Sequence, residues 1–179
     1  MTTSTTTTPR DTPADTAAPR DGQHDFDFIL GSWKVQLSRL AKPLSGSTDW
    51  VEYEGTSRAK PLWDGRANID EFRVHSPATG ARIDGLTLRL YSTETGEWSL
   101  YWANASNGAL SLPPTVGRFA ADGHGEFYDE EEFDGRPILV RYLWSDITPT
   151  SAHFEQAFST DGGVTWEPNW ISTMARSED

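Results

Sequence analysis

Turn-forming residues divide this sequence more sharply than any apolar pattern does. Asp64-Gly65, Pro77-Ala78-Thr79-Gly80, Thr93-Glu94-Thr95-Gly96, Asp122-Gly123, Asp134-Gly135 and Asp161-Gly162-Gly163 recur along it. Each supplies the positive φ, or the side-chain hydrogen bond to backbone, that a tight hairpin turn needs. Between them run short stretches rich in aromatic and β-branched residues, in which apolar and polar positions alternate. The strands this predicts are Trp33 to Leu40, Asp49 to Lys60, Arg66 to His75, Ile83 to Ser92, Trp98 to Asn104, Val116 to Ala121, Gly125 to Phe133, Pro137 to Ser145, Ser151 to Ser159 and Thr165 to Met174. No segment after Gly31 carries a long helical apolar stripe, and nothing recurs at a fixed repeat length. A meander of about ten hairpin-joined strands removes its free edges by closing. The expected fold is therefore all-β, a single antiparallel, mainly up-and-down barrel.

A chain of 179 residues suits one domain. Its eight Trp and 12% aromatic content place the apolar burden on a few large side chains, as suits a half-buried pleated surface. Residues 1–22 are Thr- and Pro-rich, with nothing large and apolar after Met1, and are expected to form a disordered leader. Residues 23–179 are the expected barrel domain. Ahead of its first strand, Phe26 to Leu30 is expected to form a short helical or 3-10 plug, ended by Gly31.

Gly31-Ser32-Trp33, opening the first strand, resembles the G-x-W signature of the calycins, lipocalin-like barrels in which the Trp closes one end. His24-Asp-Phe-Asp-Phe-Ile-Leu-Gly-Ser-Trp33, Trp98-Ser-Leu-Tyr-Trp102 and Glu155-Gln-Ala-Phe-Ser-Thr-Asp-Gly-Gly-Val-Thr-Trp166-Glu-Pro-Asn-Trp170 extend the likeness to the DUF1579 group, a bacterial family of small calycin-like proteins of unknown function. The resemblance spans about Gln23 to Arg176. It implies a calycin barrel and a basic residue late in the chain packed over the signature Trp, for which Arg176 is the candidate. It implies no catalytic residues, because the family has no settled activity. Ser159-Thr-Asp-Gly-Gly-Val-Thr-Trp166 also resembles the Asp-box of sialidase propellers. A single copy reads as a hairpin in which Asp161 caps the backbone N–H groups of the turn and Trp166 packs beneath it.

The formal net charge of −12 repels nucleic-acid phosphates and anionic membrane surfaces, so neither is an expected partner. The absence of Cys removes disulfides, thiolate nucleophiles and Cys-ligated zinc. The four His (His24, His75, His124 and His153) show no metal-ligand spacing, and the leading reading needs no metal and no cofactor. The sequence has neither the apolar run of an export signal nor a stretch of about 20 apolar residues, which makes a cytoplasmic location the expectation. The expected partner is a small-molecule ligand, with a homodimer left open.

Strand parity places Trp98, Leu100, Trp102 and Asn104 on one face, and sets Ile138, Val140, Tyr142 and Trp144 against Leu139, Arg141 and Leu143. Arg141, between two leucines, is expected to point inward and meet Glu155 on the next strand. Arg89 shares a face with Thr87 and Tyr91. It is a second arginine able to enter a cavity, there to meet a ligand or a buried acid such as Asp70 or Glu71. The candidate ligand-binding residues are thus Arg141, Arg89, Trp102, Asn104, Trp144 and Trp170. The acidic run Asp129 to Asp134 reads as a solvated strand edge.

The leading functional reading is binding of a small, largely apolar or aromatic metabolite inside the barrel. Three others stay open. One is a metal-free isomerase or cyclase with Glu155, His153 and Tyr101 as catalytic candidates, the first two sharing a strand face at i, i+2. Another is a haem-binding, nitrobindin-like barrel ligating iron through His153, and the last a non-catalytic scaffold.

Overall fold

The alternation of the sequence is carried directly into the backbone. The computed structural model describes residues 21–178. Its strands are β1 (Gly31–Leu40), β2 (Trp50–Leu62), β3 (Ala67–His75), β4 (Arg82–Ser92), β5 (Glu97–Asn104), β6 (Ala109–Leu110), β7 (Thr115–Phe119), β8 (Gly125–Phe133), β9 (Arg136–Ser145), β10 (Ser151–Ser159) and β11 (Glu167–Arg176). Ten of them answer to the ten expected. The eleventh, β6, is a two-residue strand lying along the end of β5, in a stretch with no apolar alternation to announce it. Chain neighbours other than β6 and β7 pair antiparallel, β5 pairs with both β4 and β7, and β1 pairs with β11. The ring of ten long strands is thereby closed.

Every second residue points inward, and these make the core. Trp33, Val35 and Leu37 of β1, Ser57 and Ala59 of β2, Trp98 and Leu100 of β5, and Ile138, Val140 and Trp144 of β9 are all buried. Turn chemistry holds where it was expected: Asp134 and Gly135 both adopt positive φ, 51° and 73°, as a type I′ hairpin demands.

The expected helical plug is not a helix. Asp27–Ile29 makes a single 3-10 turn, too short to propagate, and among the described residues there is no α-helix. Aromatic packing holds the segment instead. Phe26 lies edge-on to Trp98, Phe119 and Trp144 at centroid distances of 5.1, 4.9 and 6.0 Å, and Trp33 Nε1 donates to the Ile29 carbonyl at 2.8 Å. Arg176 lies over the Trp33 ring at 4.0 Å and donates to the carbonyls of Leu30 and Phe28. This end of the barrel is sealed. The leader lies outside the described residues apart from Asp21 and Gly22. Gly22 is already buried, its N–H donating to Tyr91 Oη and its carbonyl accepting from Trp98 Nε1, both at 2.9 Å.

The Asp161 turn forms as a capped hairpin connection on the outer wall. Asp161 Oδ1 accepts from Thr165 N at 2.9 Å and Ser159 Oγ at 2.8 Å, and Oδ2 accepts from Thr165 Oγ1. These donors, Thr165 first, hold the Asp161 carboxyl at about 2, below its ordinary 3.8. A depressed carboxyl contributes stability that is present above its unfolded value and lost as pH falls through the folded one. Asp161→Asn is therefore expected to flatten the stability curve between about pH 4 and pH 2, as read by urea unfolding at stepped pH. An unchanged acid limb would remove the turn from the acid-sensitive contacts.

β8 is held on both sides only in part. It pairs with β7 over Gly125–Tyr128, whereas Asp129–Phe133 has β9 on one side and, among the described residues, no strand on the other. The acidic run lies along this strand edge, with Glu130 and Glu132 exposed as expected, but Asp129 and Glu131 fall on the opposite parity and are partly buried, so the run is not solvated throughout. No helix among the described residues is long and apolar enough to cross a membrane.

Candidate functional site

Above the sealed end lies an internal cavity of about 400 Å³, within the range of small-molecule sites. Eight aromatic side chains contribute to its wall, Phe72, Trp102, Phe133, Tyr142, Trp144, Phe154, Phe158 and Trp170, together with Leu100 and Met174. Phe72, Trp102 and Trp170 pack together, with centroids 5.9 Å apart for Phe72–Trp102 and Phe72–Trp170 and 6.3 Å for Trp102–Trp170. Gly85 makes room for one of them. A Cβ there would stand 2.3 Å from the Trp102 ring, so only glycine lets that indole lie against β4.

Polar groups interrupt this wall: Ser57, Ser172 and Asn169, the last accepting from Gln156 Nε2 at 2.7 Å, and a buried ion pair. Arg89 Nη2 donates to Asp70 Oδ2 at 2.7 Å and Nη1 to Asn68 Oδ1 at 3.0 Å, while Asp70 Oδ1 accepts from Thr87 N at 2.8 Å. Cross-strand register makes the cluster: Asn68 stands opposite Arg89 and Asp70 opposite Thr87 on the β3–β4 pair. Arg89, Asp70 and Asn68 are all buried, and Arg89 lies 5.3 Å over the Phe26 ring. At the other end Arg39, exposed, lies over Trp170 at 5.8 Å.

Further acids lie on the inward-facing parity of β8. Burial raises the carboxyls of Asp129 and Glu131, Glu131 further through the Asp129 charge, while the hydrogen bond from Thr115 Oγ1 to Asp129 Oδ2 at 2.8 Å opposes the shift at Asp129. Burial likewise pushes the Tyr142 phenol well above its ordinary value. A second concavity, about 790 Å³, lies on β2–β5 and is lined largely by charged residues such as Arg58, Lys60, Glu71 and Arg82. The aromatic interior is the better candidate for a ligand.

Of the residues singled out in the sequence, Arg89, Trp102, Trp144 and Trp170 line the cavity. Arg141 does not. It shares the outward parity of Leu139 and Leu143, opposite the buried Ile138, Val140 and Trp144. The expected partner is right and the face is wrong: Arg141 Nη2 lies 3.5 Å from Glu155 Oε1. Its apolar neighbours reflect a covered outer wall, because the Asp161 turn folds Trp166 over the Arg141 guanidinium at 4.5 Å.

Glu155 and His153 are therefore outside as well, on the β10 parity opposite Phe154 and Gln156, and Tyr101 is outside on β5, opposite Leu100 and Trp102. The three catalytic candidates are brought to no common cavity. His153 on the outer wall is equally out of reach of a haem held within the barrel. Asn104 shares the inward parity but sits at the rim, its Oδ1 accepting from Ser106 N at 2.9 Å; it ends the strand and does not line the cavity. Among the described residues no group of three or more His, Asp or Glu is disposed to hold a metal ion. Sequence reading missed Phe72 and Phe154 as wall residues. Their signal is strand parity: Phe72 alternates with Glu71 and Arg73 on β3, and Phe154 with His153 and Glu155 on β10.

No protein family matches the chain, and no curated protein does. Among solved structures it is similar to the S-type phycobiliprotein lyase of Guillardia theta, at 15% identity over 90% of this chain and 95% of that one, with a TM-score of 0.59. It is also similar to a de novo designed fluorescence-activating β-barrel (12% identity, 84% and 95% covered, TM-score 0.45) and to EF1p2_mFAP2b bound to DFHBI (11% identity, 87% and 99% covered, TM-score 0.48). The first likeness establishes the fold, a closed antiparallel barrel.

Proposed function

We propose that the protein binds a small, largely apolar or aromatic metabolite inside its barrel. The carrying observation is the cavity itself, about 400 Å³ walled by aromatic rings above an end closed by Trp33 and Arg176. Burying a planar ligand against those rings removes apolar surface from water at about 25 cal/mol per Å². With this reading goes a proposed place among the DUF1579-type calycins, supported by the G-x-W motif and by the late arginine over its Trp.

The test is native mass spectrometry of the purified protein for a co-purifying small molecule, followed by titration of an aromatic ligand series while following Trp fluorescence and melting temperature. Binding should quench or shift the fluorescence and raise the melting temperature. If no ligand in the series moves either, the reading fails. Gly85→Ala is expected to push the Trp102 indole into the cavity. It should weaken binding at least about fivefold, with a stability loss of about 1 to 3 kcal/mol as for other overpacked sites. Wild-type affinity in a folded Gly85→Ala variant would take Trp102 out of the site.

A further inference from the structure

We infer that the ligand is a neutral planar aromatic compound carrying one hydrogen-bond acceptor of the carbonyl type, held with that acceptor against Arg89. This rests on the barrel-binding reading and narrows it to a chemical class.

The inference starts from an incompletely used guanidinium. An arginine side chain offers five N–H donors and has no acceptor. Among the described residues Arg89 gives one to Asn68 from Nη1 and one to Asp70 from Nη2, which leaves a second hydrogen on each of these nitrogens, while its enclosed Nε has no partner. Arg89 is only 3% exposed, so bulk water does not serve the remainder, and it is part of the cavity lining. A buried donor left unmade is costly, and a ligand acceptor that meets it removes that cost while gaining a charge-assisted bond.

Charge then decides between a neutral acceptor and an anion. Asp70, buried and 2.7 Å away, already balances Arg89, so a carboxylate ligand would bring an uncompensated negative charge into a low-dielectric cavity. Asp129 and Glu131 on the inward face of β8 add to that penalty; their carboxyls are themselves raised by burial. Arg39, the cation of the lining without a carboxylate partner among the described residues, is exposed, and an ion pair there is screened by water. A carbonyl dipole suffers none of this and suits both the ring-lined wall and the donors at Arg89.

The experiment compares three probes of matched ring system: fluorene, with no acceptor; 9-fluorenone, with a neutral carbonyl; and fluorene-9-carboxylate, an anion at neutral pH. Binding is followed by Trp fluorescence and calorimetry on the full chain. Fluorenone is expected to bind about ten- to a hundredfold more tightly than fluorene, the range supplied by a hydrogen bond from a charged donor, and the carboxylate more weakly than fluorenone. The bound C=O stretch should fall below its frequency in hexane. In Arg89→Met/Asp70→Leu, which removes the ion pair as a unit, fluorene and fluorenone should bind alike and the carbonyl shift should disappear. Equal binding of fluorene and fluorenone to the wild-type protein overturns the inference while leaving the barrel-binding reading intact, and so does tighter binding of the carboxylate. Failure of all three probes to bind overturns the barrel-binding reading and this inference with it.

Discussion

Trp33→Ala is expected to cost about 3 to 5 kcal/mol, the range for large aromatic truncations in well-packed cores. The ring is fully buried, its Nε1 holds the Ile29 carbonyl at 2.8 Å, and the Arg176 guanidinium stacks on its other face at 4.0 Å. Truncation leaves a void at the point where the 3-10 turn, the start of β1 and the end of β11 converge. It also strips the support from an arginine that holds the carbonyls of Phe28 and Leu30. Trp33→Phe, which keeps most of the volume and loses the Nε1 bond, should cost markedly less. Urea unfolding measures both, and a Trp33→Ala loss under about 1 kcal/mol would mean that the end is closed by something other than this stack.

The second large effect is at Arg89. Arg89→Met strands the Asp70 carboxylate, 5% exposed, without its counter-charge and leaves Asn68 Oδ1 without its donor. Breaking a buried pair from one side costs about 3 to 5 kcal/mol, whereas replacing both members by apolar residues of similar volume is often neutral or better. Arg89→Met alone should therefore be much less stable than Arg89→Met/Asp70→Leu, despite carrying fewer changes. A double-mutant cycle in urea reads the difference. Single and double variants of equal stability would show that the pair is not coupled within the core.

The two arginines show what was legible in the sequence and what was not. Turn residues such as Asp134-Gly135 act locally, and the strands they delimit formed within a few residues of their expected bounds. Trp33 and Arg176 are far apart in sequence, yet the resemblance to the calycin motif implies that they meet, as they do. Orientation is another matter, because it depends on what covers the outer wall. Arg141 between Leu139 and Leu143 has the pattern of an inward strand face. The Asp161 turn reverses that reading by laying Trp166 across it, a contact with no periodic signature. Once that face was misjudged, Glu155 followed. For Arg89 the sequence allows a ligand anchor, an ion pair with Asp70, Glu71 or Glu155, or exposure on the outer face, and only the β3–β4 register singles out Asp70.

The β1–β11 pairing carries a kinetic consequence. Hairpins such as β8–β9 bring together residues close in sequence, but the last seam of the ring joins Trp33 to Arg176 across nearly the whole domain. The loop-closure entropy of that step must be met before any of its contacts form. Refolding should accordingly fall in the slow, millisecond-to-second class of non-local β-topologies. During synthesis β1 is without its second partner until β11 emerges, so the barrel cannot seal before then. For that interval the aromatic interior is open along a seam, and its rings are exposed to water and to other chains until the last strand docks.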